Sequence, residues 1–475
     1  MEDDATTTAE LPAKPTESYF IVPPGFRANT FFVGMEKEYQ ELDQRLFDKR
    51  RKDGTACVLL HGQPGGGKSH LARQYVNKNR KKFAGGIFWI MAKSREERDH
   101  AFWNICQKVV VRDSPDMCND KRTFVDTVKA WFESRHEWLM VFDGVTLDRD
   151  DDAADLQRFI PDSRDSSLIY ISRAKNLESK QRLLRPFAIR VASLKEDDAR
   201  KLLFKELHID QPKDAEVRKA TELVKKVGGL PLAIDAIAHR ISDTHEPLAK
   251  FKIEYFADPK IGGTYNKILN DLQKLRQVEA WNLIHVLCFF GQHIPVELVH
   301  LGLKSLNHDS IEVKSSDGGG NPDINTTFSI LMRYALVERN EPDDSSMSSS
   351  RDSLVGPEPI DVLKIHSVVQ KFCLDSLNGM NILPIWIGYA IRLFGYSFHE
   401  ADVRIKLRPE KGRVSDYREY LTHGQRLWDN SITYKSGAQP LDDVRSYLTP
   451  IMDKIAEEIQ IREPRSSQES LGKGK

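Results

Sequence analysis

Gly62-Gln63-Pro64-Gly65-Gly66-Gly67-Lys68-Ser69 is the stretch on which the fold turns. A polyphosphate needs close backbone N–H donors, a held cation and a magnesium ion. Gly65, Gly66 and Gly67 let successive amides converge on an anion. A helix opening at Lys68-Ser69 aims its positive dipole end at the same point. Lys68 is then expected to reach the β- and γ-phosphates, and the Ser69 hydroxyl to ligate Mg²⁺. Gly62 begins the loop, and His70 is grouped with the cofactor contacts. Such a loop belongs between a strand and a helix. Cys57-Val58-Leu59-Leu60 is a short apolar run ending at His61-Gly62. Ser69–Asn79 carries Leu71, Tyr75 and Val76 at helical spacing.

The same alternation continues outward. Ile87–Met91, Trp138–Phe142 and Ser167–Ile171 read as buried strands. Arg98–Val111, Lys121–Glu133 and Leu156–Phe159 read as helices between them. This predicts an α/β P-loop NTPase domain, a parallel sheet with helices on both faces. The strand Trp138–Phe142 stops at Asp143, where P-loop proteins place a carboxylate that supports Mg²⁺ and hydrolysis. Many hydrolysing P-loop ATPases carry a second acid directly afterwards; this chain has Gly144. Asp148 and Asp150–Asp152 read as an exposed acidic loop. No catalytic residue stands out, and the expectation is at most a slow ATPase, or one that needs another subunit.

The predicted organisation has five parts. Residues 1–24 form a disordered tail, with Val22-Pro23-Pro24-Gly25 as a linker. Residues 25–190 form the P-loop domain, and 191–262 a helical domain. Within the latter, Glu196–Leu207, Ala215–Val227 and Leu232–Ile241 are helices; Gly228-Gly229 ends the second and Pro231 starts the third. Strands are expected to cease near Val191, apart from one later hairpin. That hairpin, Leu336–Arg339 with Val362–Ile365, follows the helices Gln277–Phe290 and Thr326–Leu336. It gives 263–378 a winged-helix-like character, with flexible insertions at 315–325 and 341–359. Residues 379–475 are C-terminal helices and a polar tail, with no internal repeat of constant period.

Lys+Arg and Asp+Glu both number 70, so nothing global points to a nucleic-acid or membrane-surface partner. The five cysteines are dispersed, odd in number and form no CxxC pair. They read as reduced thiols rather than a disulfide framework or zinc site. No signal peptide or membrane span is evident, and a cytoplasmic protein is expected.

These motifs, in this order, resemble the NB-ARC family within the STAND class of signal-transduction P-loop ATPases. Fungal NOD-like receptor proteins are look-alikes over about residues 26–378. Phe31-Phe32-Val33-Gly34-Met35-Glu36 is similar to the family's opening Gly-Arg-Glu motif, whose backbone, Val33 here, borders the adenine. Met35 replaces the usual arginine. Ser172-Arg173 resembles the sensor position, which implies Arg173 facing the terminal phosphate. Gly229-Leu230-Pro231-Leu232 matches the GLPL motif, which implies Pro231 packing on adenine. Ile365-His366-Ser367 resembles the Met-His-Asp motif, which implies His366 at the ADP β-phosphate; Ser367 departs from the usual aspartate.

The resemblance implies ATP/ADP and Mg²⁺ as cofactors, with ADP closing the domains and ATP opening them for self-oligomerisation. It implies a role in non-self recognition or innate-immunity-like signalling, with an unknown effector or sensor partner. No effector domain is expected before residue 25, and no repeat array after the winged-helix-like part. Two other readings compete. One is an ordinary P-loop or AAA+ enzyme, against which Gly144 and the GLPL motif speak. The other is a winged-helix DNA-binding regulator, whose candidate helix Val368–Leu377 lacks clustered Lys/Arg.

Overall fold

The computed structural model describes residues 18–24, 26–48, 54–115, 117, 123–147, 151–244, 247–251, 268–269, 272–273, 277–307, 311–315, 322–334, 336–340, 361–407, 414–434 and 441–462. The strands read from sequence pair side by side. They are β2 (Ala56–His61), β3 (Gly86–Met91), β4 (Trp138–Val145) and β5 (Ser167–Ser172). With β1 (Phe20–Ile21) and β6 (Phe187–Arg190) they form a parallel sheet in the order β1-β3-β4-β5-β2-β6. The central strands are almost continuously apolar because both faces are covered.

Alternation along each strand separates two cores. Val58, Leu60, Ile87, Trp89, Val141 and Ile169 face one way. There they meet α1 (Glu36–Asp43), α2 (Lys68–Asn79) and a group of helices after β6. Leu59, Phe88, Ile90, Met140, Phe142 and Tyr170 face α3 (Arg95–Ile105) and α4 (Phe124–Glu133). The helical group is α6 (Glu196–Glu206), α7 (Asp214–Lys226) and α8 (Pro231–Thr244), after the short α5 (Asp152–Gln157). These helices share one continuous core with the P-loop face of the sheet.

A second body follows. It contains α9 (Val278–Leu287), β7 (His293–Pro295), α10 (Val296–Asn307), α11 (Ile324–Arg333), β8 (Glu338–Asn340), β9 (Val362–Lys364) and α12 (Ser367–Gly379). Its antiparallel sheet runs β7-β9-β8. Three long helices complete the described chain: α13 (Leu383–Lys406), α14 (Val414–Thr433) and α15 (Asp442–Arg462). They bury their apolar faces in the same core as α9–α12, so no core boundary falls at residue 378. That core also takes in Trp103 of α3.

Several expectations need correction. The tail predicted over 1–24 is ordered from residue 18, because Phe20–Ile21 pairs with Ile87-Phe88; residues 1–17 lie outside the described residues. The strand at Trp138 does not stop at Asp143. It runs to Val145 through a register shift at Asp143/Val145, where Gly144 adopts φ +88°. An unread edge strand, β6, pairs with β2 just before the expected end of the strands near Val191, and an unread strand, β7, accompanies the later hairpin. β6 and β7 escaped notice because runs of four and three residues show too little periodicity. The insertion at 341–359 lies outside the described residues, as do residues 316–321, Asp148 and Asp150. Ser315 and Asp323 bridge each other at the ends of the other insertion.

Phe88 is fully buried, with the rings of Trp131 and Phe132 edge-on at 6.0 and 4.7 Å. Phe88→Ala is expected to destabilise the sheet unit by about 3–5 kcal/mol. Calorimetric unfolding of the two chains checks this, and an unchanged transition temperature contradicts the packing described.

Candidate functional site

The phosphate loop is shaped by what surrounds it. Gly62, Gly65 and Gly67 have φ of +149°, +75° and +88°, conformations that favour residues without Cβ. A Cβ on Gly62 would lie 2.3 Å from the Val191 carbonyl oxygen, and one on Gly67 would lie 2.8 Å from Met35 Cε. Backbone bonds tie the loop to the helical unit: Val191 N–H donates to the His61 carbonyl (2.8 Å), and Leu232 N–H to the Gly65 carbonyl (3.3 Å). The Gly-Leu-Pro-Leu turn is therefore a direct support of the loop.

Lys68 opens α2, and its Nζ donates to the carbonyls of Gly62 (3.0 Å) and Gln63 (2.8 Å). An ammonium has three donors, so one remains for an anion. Burial pushes the Lys68 pKa down to about 8; Asp143 opposes that shift and Arg173 adds to it. Ser69 Oγ donates to Asp143 Oδ1 at 2.9 Å. The Asp143 carboxyl is pushed above its usual range by burial, against the pull of Arg73 and the Ser69 bond.

A hard divalent cation takes oxygen ligands and commonly uses one or two protein groups with water and phosphate. Ser69 and Asp143 supply such a pair. Among the described residues no cluster of three His, Cys, Asp or Glu could hold a metal alone. The pair therefore fits Mg²⁺ carried in with phosphate, and does not amount to a stand-alone metal centre.

Around this loop opens a cleft of about 500 Å³. Val33, Gly65, Gly67, Lys68, Ser69, His70, Asp143, Arg173, Pro231 and His366 all line it. The expected site residues Gly62 and Gly66 stand behind the loop, against the Val191 and Gln63 carbonyls. Phe31, Phe32, Met35, Leu202, Pro231 and Leu232 give one part of the cleft an apolar lining suited to a base. Ser172 Oγ donates to the Val145 carbonyl at 2.8 Å and accepts from Ala174 N–H at 3.1 Å, which fixes the strand end that carries Arg173.

His366 arrives from the second body. Its Nδ1 accepts the Val368 N–H at 3.1 Å and caps α12, so a neutral ring carries its proton on Nε2. Burial and then Lys364 push its pKa down to about 3. The imidazole is thus a neutral hydrogen-bond donor at physiological pH.

Sequence reading missed other residues in the cleft: Arg73, Lys93, Glu206, Asp235, His293, Glu338 and Lys364. Lys364 had a legible signal. It lies two residues before His366 in a strand-like run, hence on the same face. Six basic side chains line the cleft (Arg27, Lys68, Arg73, Lys93, Arg173 and Lys364) against four acidic ones.

Strand, glycine loop, helix and strand-end carboxylate define a P-loop nucleotide-binding protein of the parallel α/β type. The sequence match is more specific: residues 35–211 fit the NB-ARC domain model. Residues 35–211 of this chain therefore carry an NB-ARC domain. No curated protein matches it significantly. Among solved structures it is similar to a STAND protein with a tetratricopeptide repeat sensor from Pyrococcus horikoshii, at 13% identity and a TM-score of 0.48. The match covers 92% of this chain, and the chain spans 60% of that protein's length. The Aeropyrum pernix ORC1 protein in complex with DNA is similar at 12% identity, TM-score 0.37, covering 74% of this chain and 94% of that one. Cdc6p from Pyrobaculum aerophilum is similar at 12% identity, TM-score 0.35, covering 74% and 97% respectively. No described helix is long and apolar enough to cross a membrane.

Glu206, at the end of α6, supplies a pH test. Burial first, then Asp235, pushes its carboxyl pKa up to about 7 from an ordinary 4.5. The folded value exceeds the unfolded one, so stability is full below about 4.5 and falls as pH rises towards 7. Glu206→Gln is expected to raise the unfolding temperature at pH 8, with the gain shrinking at pH 5. An equal gain at both pH values contradicts the shift.

Proposed function

We propose that this chain is an ADP/ATP switch of the NOD-like receptor type, closed with ADP and opened for self-association by ATP. One observation carries the reading: the phosphate loop, the Gly-Leu-Pro-Leu turn and His366 line the same cleft. Lys68 and His366 stand on separate bodies with separate cores. A ligand that touches both favours the closed arrangement by those contacts alone. Val33 and Pro231 take the adenine; Lys68, His70, Arg173 and His366 take the phosphates. Ser69 and Asp143 would hold Mg²⁺, which would supply charge neutralisation.

Hydrolysis is slow in this reading. The position after Asp143 is Gly144, whose φ of +88° at the strand irregularity disfavours an acid with a Cβ. An ordinary P-loop enzyme is the second reading, and fast steady-state turnover by the single chain would favour it. The winged-helix description of α9–α12 with its three strands belongs to the proposal, as do a cytoplasmic location, a role in non-self recognition and an effector or sensor partner. A DNA-binding role has less support, because α12 carries a single lysine, Lys371, and no arginine.

Lys68→Ala is expected to abolish nucleotide binding and the stabilisation that bound nucleotide confers. Mass spectrometry of nucleotide released from the purified protein reads this directly. Wild-type protein should release ADP, and ADP at wild-type stoichiometry in the variant overturns the site. His366→Ala should weaken ADP retention more than ATP binding. His366→Asn keeps a capping side chain, so it separates loss of the helix cap from loss of the phosphate contact. Equal effects on both nucleotides remove the switch role.

A further inference from the structure

The small sheet has two unlike faces. Ile294, Leu363 and Ile365 point into the hydrophobic core of the second body. On the opposite face, the register places His293 against Lys364 and Lys364 against Glu338. These three residues form one row across β7, β9 and β8. All three line the cleft, together with His366, and His70 and Arg73 from α2 line it as well. A charged row on the cleft face of a three-stranded sheet is not required by the sheet's own packing.

Within that row Lys364 Nζ bonds Glu338 Oε2 at 2.7 Å. The Lys364 side chain is 11% exposed, whereas that of Glu338 is 57% exposed. The lysine is therefore held in place while its carboxylate partner faces the open cleft. Charge around the pair is lopsided. Although its side chain is open to the cleft, the crowding of protein around it disfavours the Glu338 carboxylate, but Lys364, His70 and Arg73 outweigh that and hold its pKa at about 2. Burial, with Arg73 nearby, depresses Lys364, and Glu338 and the more distant Asp143 oppose that. Arg73 Nε has no hydrogen-bond partner among the described residues. Cations from both bodies thus converge here on one exposed carboxylate.

We propose that Lys364 is a phosphate-binding residue of the cleft and that Glu338 is its resident counter-ion, displaced when a nucleotide polyphosphate enters. The inference rests on the nucleotide reading of the same cleft and adds a second lysine, from the opposite body, to Lys68. A polyphosphate carries more charge than one carboxylate and is repelled by it. Lys364 exchanges partners without moving its strand, since Glu338 sits on the neighbouring strand and can turn towards solvent. The small sheet thereby reads how many phosphates are bound, because a monophosphate offers less charge to compete with Glu338.

Binding of adenosine monophosphate, ADP, a non-hydrolysable ATP analogue and inorganic pyrophosphate to the full chain tests this by calorimetry. Lys364→Met should weaken the di- and triphosphates and pyrophosphate by roughly tenfold or more, the scale of a lost charged hydrogen bond, and leave the monophosphate within about twofold. Glu338→Gln should strengthen the polyphosphates by a few-fold, an effect of opposite sign that misfolding cannot imitate. Unchanged ADP affinity in a folded Lys364→Met protein, equal losses for mono- and diphosphate, or weakened binding in Glu338→Gln each overturn the proposal. If ADP binds wild type and Lys364→Met alike, the lysine assignment fails and the nucleotide reading stands. If pyrophosphate binding depends on Lys364 while adenosine adds nothing, the nucleotide reading fails and the lysine assignment stands.

Discussion

The architecture depends on a loop that cannot hold its shape alone. Three left-handed or otherwise glycine-favouring positions, 62, 65 and 67, set the course of its backbone. Neighbours then occupy the space that side chains would have filled: the Val191 carbonyl behind Gly62, Leu232 beside Gly65 and Met35 over Gly67. The helical unit is thus part of the loop's wall. Its helices share the core of the sheet, and the Gly-Leu-Pro-Leu turn meets the loop through a backbone bond. Displacing that turn alters the phosphate site at its source.

Across the cleft the second body contributes no glycine loop, only side chains on a small sheet and the cap of α12. The cleft wall joins groups with two kinds of support. Lys68, Ser69 and Asp143 are held by one another and by loop carbonyls. His366 and Lys364 are held by their own body, through the Val368 amide and Glu338. Excess positive charge in a partly desolvated cleft is unfavourable until an anion arrives. That cost ties the two bodies to one ligand.

The P-loop part was legible because its signals are local. A glycine loop between an apolar strand and an amphipathic helix announces itself within twenty residues, and β2, α2 and β4 appeared close to their predicted bounds. Asp143 was legible as a strand-end acid, although the strand continues past it. The short strands β1, β6 and β7 were not legible, because they owe their conformation to partners far along the chain, whereas the equally short β8 and β9 stood out as a hairpin. The cleft's remaining residues were hidden for the same reason. Glu338 and Lys364 are 26 positions apart, and only the β8–β9 register makes them neighbours. Met35, read as a departure from a motif, proved to be the side chain that packs over Gly67.

One long helix links what the cleft holds apart. Arg418 of α14 lies over the rings of Trp103 and Phe124 in the P-loop body, at 5.4 and 4.7 Å. One turn further on, His423 Nδ1 accepts the Gly291 N–H, and Asn430 donates to the Phe289 carbonyl, just before the strand that carries His293. The helix is a strut fastened to both bodies. A swing that widens the cleft must load this strut in shear, between the aromatic seat of Arg418 and the His423 and Asn430 bonds. Torque applied through the C-terminal helices would therefore reach both walls of the cleft through a single helix.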